Sequence, residues 1–210
     1  MNVRLIGFFL FLAVFGFAQD NVNSTTIGET TAERLALVIG VSSYKSVKTS
    51  PYIENDCLRL RYALKKCGNF DVITISNNSD LKPTKENIIN TLLTIKENAA
   101  SYKTFILYYA GFSFCIDDEN FIAPTDTDFY DPRNTAIRIS DLTEILTEIN
   151  LSTKTGVFLD YGRVNLNSFM GKGLPLPEIP KEQLGLSILY SSDGKTPSYD
   201  FEEYKSGVFS

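Results

Sequence analysis

The feature that most restricts this chain is the run Leu35-Ala-Leu-Val-Ile-Gly-Val41, which is apolar throughout and does not alternate. A strand with one wet face alternates in polarity; a strand covered on both faces does not, and that is the pattern of a parallel sheet. Thr104-Phe-Ile-Leu-Tyr-Tyr109 and Gly156-Val-Phe-Leu-Asp160 repeat the pattern, and Phe70–Ile75 and Leu186–Tyr190 are further candidates. Helical spacing separates the strands. Ile53, Cys57, Leu60, Leu64 and Cys67 form one stripe within residues 51–68, with Gly68 as a C-terminal stop. Pro83 and Thr84 open a second helix, with Thr84 as N-cap and Ile88, Ile89, Leu92, Leu93 and Ile95 on its buried side. Ser140 opens a third, striped by Leu142, Ile145, Leu146 and Ile149. Residues 114–124 read as a hairpin around the acidic turn Asp117–Asn120, and the Gly- and Pro-rich stretch Gly171–Gly185 as a loop. Strands alternating with helices imply an α/β three-layer sandwich, a mostly parallel sheet with helices on both faces. In such sheets the working site lies beyond the carboxyl ends of the strands. Here those ends are Gly40–Tyr44, Ala110–Ser113, Asp160–Arg163 and Ser191–Asp193.

The amino terminus reads as an export signal. Arg4 supplies the positive region, Leu5–Phe17 the apolar stretch, and Gly16 and Ala18 the small residues before a cleavage point. The stretch is shorter than the roughly 20 residues that span a bilayer. Residues 1–18 are therefore expected to be removed, residues 19–33 to form a polar tether, and residues 34–210 to form the folded domain of a secreted or periplasmic protein. Removing residues 1–18 takes away Arg4 and no acid, leaving 19 bases against 25 acids, a net charge of −6. That sign argues against nucleic acid, and against a membrane surface once the signal is cleaved. The cysteines Cys57, Cys67 and Cys115 are odd in number, so they cannot all pair internally. They read as small buried apolar side chains. Asn23, Asn77 and Asn150 each begin an Asn-X-Ser/Thr acceptor pattern.

There is no histidine anywhere in the 210 residues. Histidine is the common general base near neutral pH and the common activator of a Cys or Ser nucleophile. Its absence removes His-dependent dyads and triads and most zinc sites. No metal or organic cofactor is expected.

The strand ends carry a family pattern. Leu35–Tyr44, Asn55-Asp56, Tyr108-Tyr-Ala-Gly111, Glu119-Asn-Phe-Ile-Ala-Pro-Thr-Asp126, Ile139-Ser-Asp-Leu142 and Val157-Phe-Leu-Asp160 occur in order on the expected elements. Together they resemble the large-subunit region of caspase-like peptidases, closest to the metacaspase and bacterial caspase-like branch. The resemblance implies the caspase-like form of the sandwich. In that family the third strand runs into Tyr-Tyr-Ala-Gly-His-Gly, whose histidine is the base, whereas this chain has Phe112 there. The fourth strand of the family runs into Asp-Ala-Cys, whose cysteine is the nucleophile, whereas this chain has Gly162. Phe carries no ionisable atom and Gly no side chain, so the covalent mechanism is lost.

The resemblance further implies that Asp56 and Asp160 match acidic positions which bind a basic substrate side chain. Charge-assisted hydrogen bonds to Arg or Lys suit that role. Plainer explanations compete: Asp56 as a helix N-terminal acid favoured by the dipole, and Asp160 as the partner of Arg163. The expected function is that of a pseudopeptidase, a binding or regulatory module. Its partner would be a peptide or protein with basic residues, or an active caspase-like homologue. The alternative is a hydrolase with a relocated nucleophile, Cys115 or Ser113. Ser191 and Ser192, or a Ser–Lys pair with Lys172 or Lys195, are weaker versions of it. Relatives continue past a segment like Gly207–Ser210 into a further helix and strand, so the resemblance implies a domain without them and a sheet edge near Leu186–Tyr190.

Overall fold

A computed structural model describes residues 33–45, 50–161, 186–191 and 200–207. The expected signal (residues 1–18), most of the expected tether and the Gly171–Gly185 loop lie outside these. The elements are β1 (Arg34–Gly40), α1 (Ile53–Gly68), β2 (Asp71–Ser76), α2 (Lys85–Glu97), β3 (Thr104–Gly111), β4 (Ser113–Ile116), β5 (Glu119–Ile122), α3 (Pro132–Thr135), β6 (Ile137–Arg138), α4 (Ile139–Asn150), β7 (Lys154–Tyr161), β8 (Ser187–Tyr190), β9 (Asp200–Phe201) and β10 (Ser206–Gly207).

Five strands form the central sheet in the order β2-β1-β3-β7-β8, and every pairing in it is parallel. Leu35 to Ile39 of β1 are at most 1% exposed, as an unbroken apolar run requires. Even-numbered residues of β1 and β3 face α1: Val38, Tyr108 and Ala110 pack with Ile53 and Cys57. Right-handed crossovers put α2 and α4, which pack on each other, against the opposite face. Their stripes Ile88, Leu92, Ile95 and Leu142, Leu146, Ile149 are buried, as are Leu35, Leu37 and Ile39 on that side. This is the mostly parallel three-layer arrangement that the alternating pattern demands. A small antiparallel sheet β4-β5-β6 projects beyond the carboxyl edge of β3, and β9-β10 pair antiparallel beside α1.

Several local expectations change. Cys67 is exposed, because the buried stripe of α1 stops at Cys57, with Leu60 and Leu64 only half-buried beyond it; of the three cysteines Cys57 and Cys115 are buried. Ser140 does not open α4; the helix already includes Ile139, and Arg138 stands at its cap without a side-chain bond. The hairpin turn is the two-residue step Asp117-Asp118, both at positive φ (46° and 63°), so Glu119 and Asn120 belong to β5. Thr84 caps α2 as expected, its hydroxyl accepting from the Asn87 N–H at 3.2 Å. At the acceptor sequences, Asn77 Oδ1 accepts from Ser42 N at 2.8 Å, and its Nδ2 donates to Thr125 Oγ1 at 2.9 Å. Asn150 Oδ1 accepts from Thr155 N at 3.1 Å. Both side chains tie separate segments together, and at Asn77 a sugar would fall on the Nδ2 that already donates to Thr125. Asn23 lies outside the described residues.

Candidate functional site

The carboxyl edge of the sheet gathers the candidate residues. The β3–β7 register pairs Ala110 with Asp160 and Gly111 with Tyr161. The third- and fourth-strand ends are therefore neighbours, and Phe112 follows directly on a paired residue. Gly162 lies outside the described residues, as do Arg163, Lys172, Ser192 and Lys195.

Phe112 is 1% exposed. Its ring centroid lies 5.8 Å from Phe114 and 5.6 Å from Phe129, and Phe114 stacks on Phe121 at 5.4 Å. Tyr44 closes the cluster edge-on to Phe129 at 5.6 Å. The Phe112 backbone is held equally firmly. Its N–H donates to the Tyr44 hydroxyl at 2.8 Å. Its carbonyl accepts from Ala123 N at 2.9 Å and from the Tyr109 hydroxyl at 2.8 Å. The Tyr44 hydroxyl in turn donates to the Ala123 carbonyl at 3.0 Å. Burial raises the pKa of both phenols: Tyr44 lies far above the ordinary tyrosine range, although the Phe112 N–H opposes the shift, and Tyr109 is raised further by its neighbour Tyr44. Both stay neutral at any ordinary pH and serve as fixed hydrogen-bonding posts. Gly111 makes room for them, since a Cβ there would come within 2.6 Å of the Tyr109 hydroxyl.

Asp56 and Asp160 share the α1 side of the sheet at its carboxyl end. Asp56 sits in the first turn of α1 and is 1% exposed; Asp160 is fully buried at 0%. Asp56 accepts from Ser206 Oγ at 2.8 Å and from Gly207 N at 3.1 Å, so it fastens the β9–β10 hairpin to α1. Asp160 accepts from the Tyr108 hydroxyl at 3.2 Å. Tyr108 and Asp56 line one groove, which brings the two carboxylates into the same neighbourhood. The alternative nucleophiles are enclosed: Ser113 is 1% and Cys115 8% exposed, both in β4. Ser191 follows β8 at the sheet edge, its N–H donating to Leu159 O at 3.0 Å.

Two parts of the site had no motif in the sequence. One is the Tyr44–Tyr109 pair, whose partners lie in separate segments. The other is Glu54, which accepts from Ser42 Oγ at 2.6 Å and Ser76 Oγ at 2.8 Å and so joins the ends of β1 and β2 to α1. The available signal was the presence of Ser42, Tyr44, Ser76 and Asn77 at or just past strand ends, where polar groups must find partners.

Chemically, the edge offers a sealed aromatic plug where β3 ends, and two buried carboxylates on the face beside it. None of the curated protein sequences compared with this chain matches it. Among solved structures, the Drosophila initiator caspase Dronc superposes with a TM-score of 0.56 at 9% identity, covering 82% of this chain and 59% of Dronc. Protein GSU0716 from Geobacter sulfurreducens superposes with a TM-score of 0.56 at 16% identity, covering 84% of this chain and 78% of its own. This chain thus spans 59% of the length of the first and 78% of the second. At such identities the likeness is one of fold. The sequence itself matches the family described as Caspase domain over residues 33–202. With four-fifths of its length matched and the parallel sheet in place, the chain belongs to the caspase domain family.

Proposed function

We propose that this chain is a pseudopeptidase, a caspase-fold protein that binds and does not cleave. The burial of Phe112 carries this reading. The residue that follows Gly111 of β3 is packed among Phe114 and Phe129 at 1% exposure, where an open cleft would need an accessible, ionisable group. A chain without histidine has no substitute imidazole. The burial of Ser113 and Cys115 counts against a relocated nucleophile, since a nucleophile needs open access to a substrate carbonyl.

What would be bound follows from the two carboxylates. Asp56 is now satisfied by a hydroxyl and a backbone N–H, the same kind of donors that a guanidinium presents in a fork. A basic side chain entering here would replace Ser206 and Gly207 on Asp56 and lie beside Asp160. The partner is a protein or peptide with exposed Arg or Lys, an active caspase-like homologue among them.

The experiment uses the protein with residues 1–18 removed, incubated with Arg- and Lys-ended fluorogenic peptides and with iodoacetamide- and fluorophosphonate-type probes. No turnover above an unrelated protein and no selective labelling are expected; either signal overturns the proposal. Calorimetry with an Arg-containing peptide should show binding that weakens at least about tenfold, about 1.4 kcal/mol, in Asp160→Asn. Binding that is unchanged removes the basic-partner reading and leaves inactivity standing.

A further inference from the structure

α1 and α4 lie on opposite faces of the sheet, and their outward sides carry opposite charge. On α1, Leu58, Arg61, Tyr62 and Lys65 are exposed and three or four residues apart, so they share one flank. Arg59 and Lys66 are exposed as well. The acids of α1 are Glu54 and Asp56, both in its first turn and both engaged: Glu54 by the Ser42 and Ser76 hydroxyls, Asp56 by Ser206 and Gly207. No acid follows from Cys57 to Phe70, and Asp71 is half-buried in β2. The β9–β10 hairpin, with Asp200, Glu202, Glu203 and Lys205, is bonded to Asn55 and Arg59, a different flank from that of Leu58 and Lys65. On α4, Asp141, Glu144, Glu148 and Leu151 are exposed along the middle of the outer side. That helix has no base of its own. Lys96 of α2 pairs with Glu148 at 3.1 Å, Lys154 is exposed at the start of β7, and Glu144 stands four residues from Glu148, a repulsive spacing.

The spacing of the two stripes matches as well as their charge. From Leu58 the chain steps three residues to Arg61 and four more to Lys65; from Leu151 it steps back three to Glu148 and four more to Glu144. Two helices laid antiparallel therefore set Leu58 on Leu151, Arg61 on Glu148 and Lys65 on Glu144. The next step sets Gly68 on Asp141, and Arg34 is already there, its guanidinium donating to the Gly68 carbonyl at 3.0 Å. Laid parallel, the same steps would put Leu58 on Asp141, an apolar side chain against a carboxylate. Leu58, Tyr62 and Leu151 are 59%, 66% and 83% exposed, so the contact would also take three large apolar side chains out of water.

We propose that the chain associates with copies of itself head to tail, α1 of one copy packing antiparallel on α4 of the next through Leu58–Leu151, Arg61–Glu148 and Lys65–Glu144. Because the two surfaces are different and lie on opposite sheet faces, each contact leaves one of them free on either copy, and the assembly grows as an open stack. The contact does not depend on Phe112 or on the reading of the chain as a pseudopeptidase.

Static light scattering on the protein lacking residues 1–18 tests this. The mean mass should climb past that of a dimer as concentration rises and fall back in high salt. Lys65→Glu and Glu144→Lys each set like charges opposite one another and should weaken association at least about tenfold, while both changes in one chain exchange the charges and should restore it. Leu58→Arg spoils one surface and Leu151→Arg the other, so a mixture of the two variants should stop at a one-to-one pair. All four positions are exposed, and circular dichroism checks that the fold is held. A protein that stays monomeric up to about 1 mM, the weak end of specific association, overturns the proposal. So does growth that halts at a dimer in the unaltered chain, which would mean one surface meeting itself, or a doubly reversed chain that associates no better than the single variants.

Discussion

Replacing Phe112 with Ala tests whether the end of β3 is sealed or open. A buried aromatic side chain removes roughly 150–200 Å² from water, worth about 4–5 kcal/mol at ~25 cal/mol per Å². Alanine keeps about 1 kcal/mol of that through its Cβ, while the cavity left among Phe114 and Phe129 adds a further penalty. The expected loss is about 3–5 kcal/mol, the usual range for Phe→Ala in a core. With a urea m-value of about 2 kcal/mol per molar, the midpoint should fall by about 2 M. Urea titration followed by far-UV circular dichroism reads this directly. Pairing the change with Phe129→Ala in a double-mutant cycle should return a coupling of about 0.5–1.5 kcal/mol, because the rings are 5.6 Å apart. A loss below about 1 kcal/mol, with m unchanged, would mean that the ring lies on an open surface. The end of β3 would then be open and the pseudopeptidase reading would lose its support.

Three other outcomes follow from the geometry. Gly40→Ala should cost about 1–3 kcal/mol by overpacking, because a Cβ there lies 2.4 Å from Cys57 Sγ, and Cys57→Ala in the same chain should restore much of the loss in thermal melts. Asp56→Ala removes the acceptor of Ser206 and Gly207, so limited proteolysis should cut residues 200–207 sooner, with a stability loss of about 1–3 kcal/mol; cleavage at the unchanged rate would show that the hairpin is held by other contacts. Tyr44 and Tyr109 bind their protons more tightly folded than unfolded, so their contribution is complete below the unfolded value and falls as pH rises above it. Denaturant titrations at stepped pH should show a decline beginning near pH ~10 and approaching about 2.7 kcal/mol per pH unit for the pair, half as steep in Tyr44→Phe.

The scaffold was legible because its signal is local. An unbroken apolar run is buried on both faces, and the order of runs and stripes leaves few topologies, so β1, β3 and β7 sit where Leu35–Val41, Thr104–Tyr109 and Gly156–Asp160 predict. Asp56 and Asp160 were named through the resemblance, and the structure shows both buried at the carboxyl edge of the sheet. What stayed hidden depends on segments distant in sequence. The commitment of Asp56 to Ser206 crosses 150 residues, and Tyr44 reaches Phe112 across 68. Cys67 misled because helical periodicity predicts a stripe without telling where the helix outruns the sheet. Ser140 misled because a capping residue type was present, while the chain enters α4 directly from β6.

The packing around Phe112 also limits which side chains position 112 can hold. A charged or strongly polar group at position 112 would find aromatic rings on the sides set by Phe114 and Phe129, and backbone already fixed by Tyr44 and Tyr109. Any single step toward such a group passes through a less stable chain. The aromatic cluster thus couples position 112 to its neighbours, so a polar residue there is tolerated only if Phe114 or Phe129 changes with it.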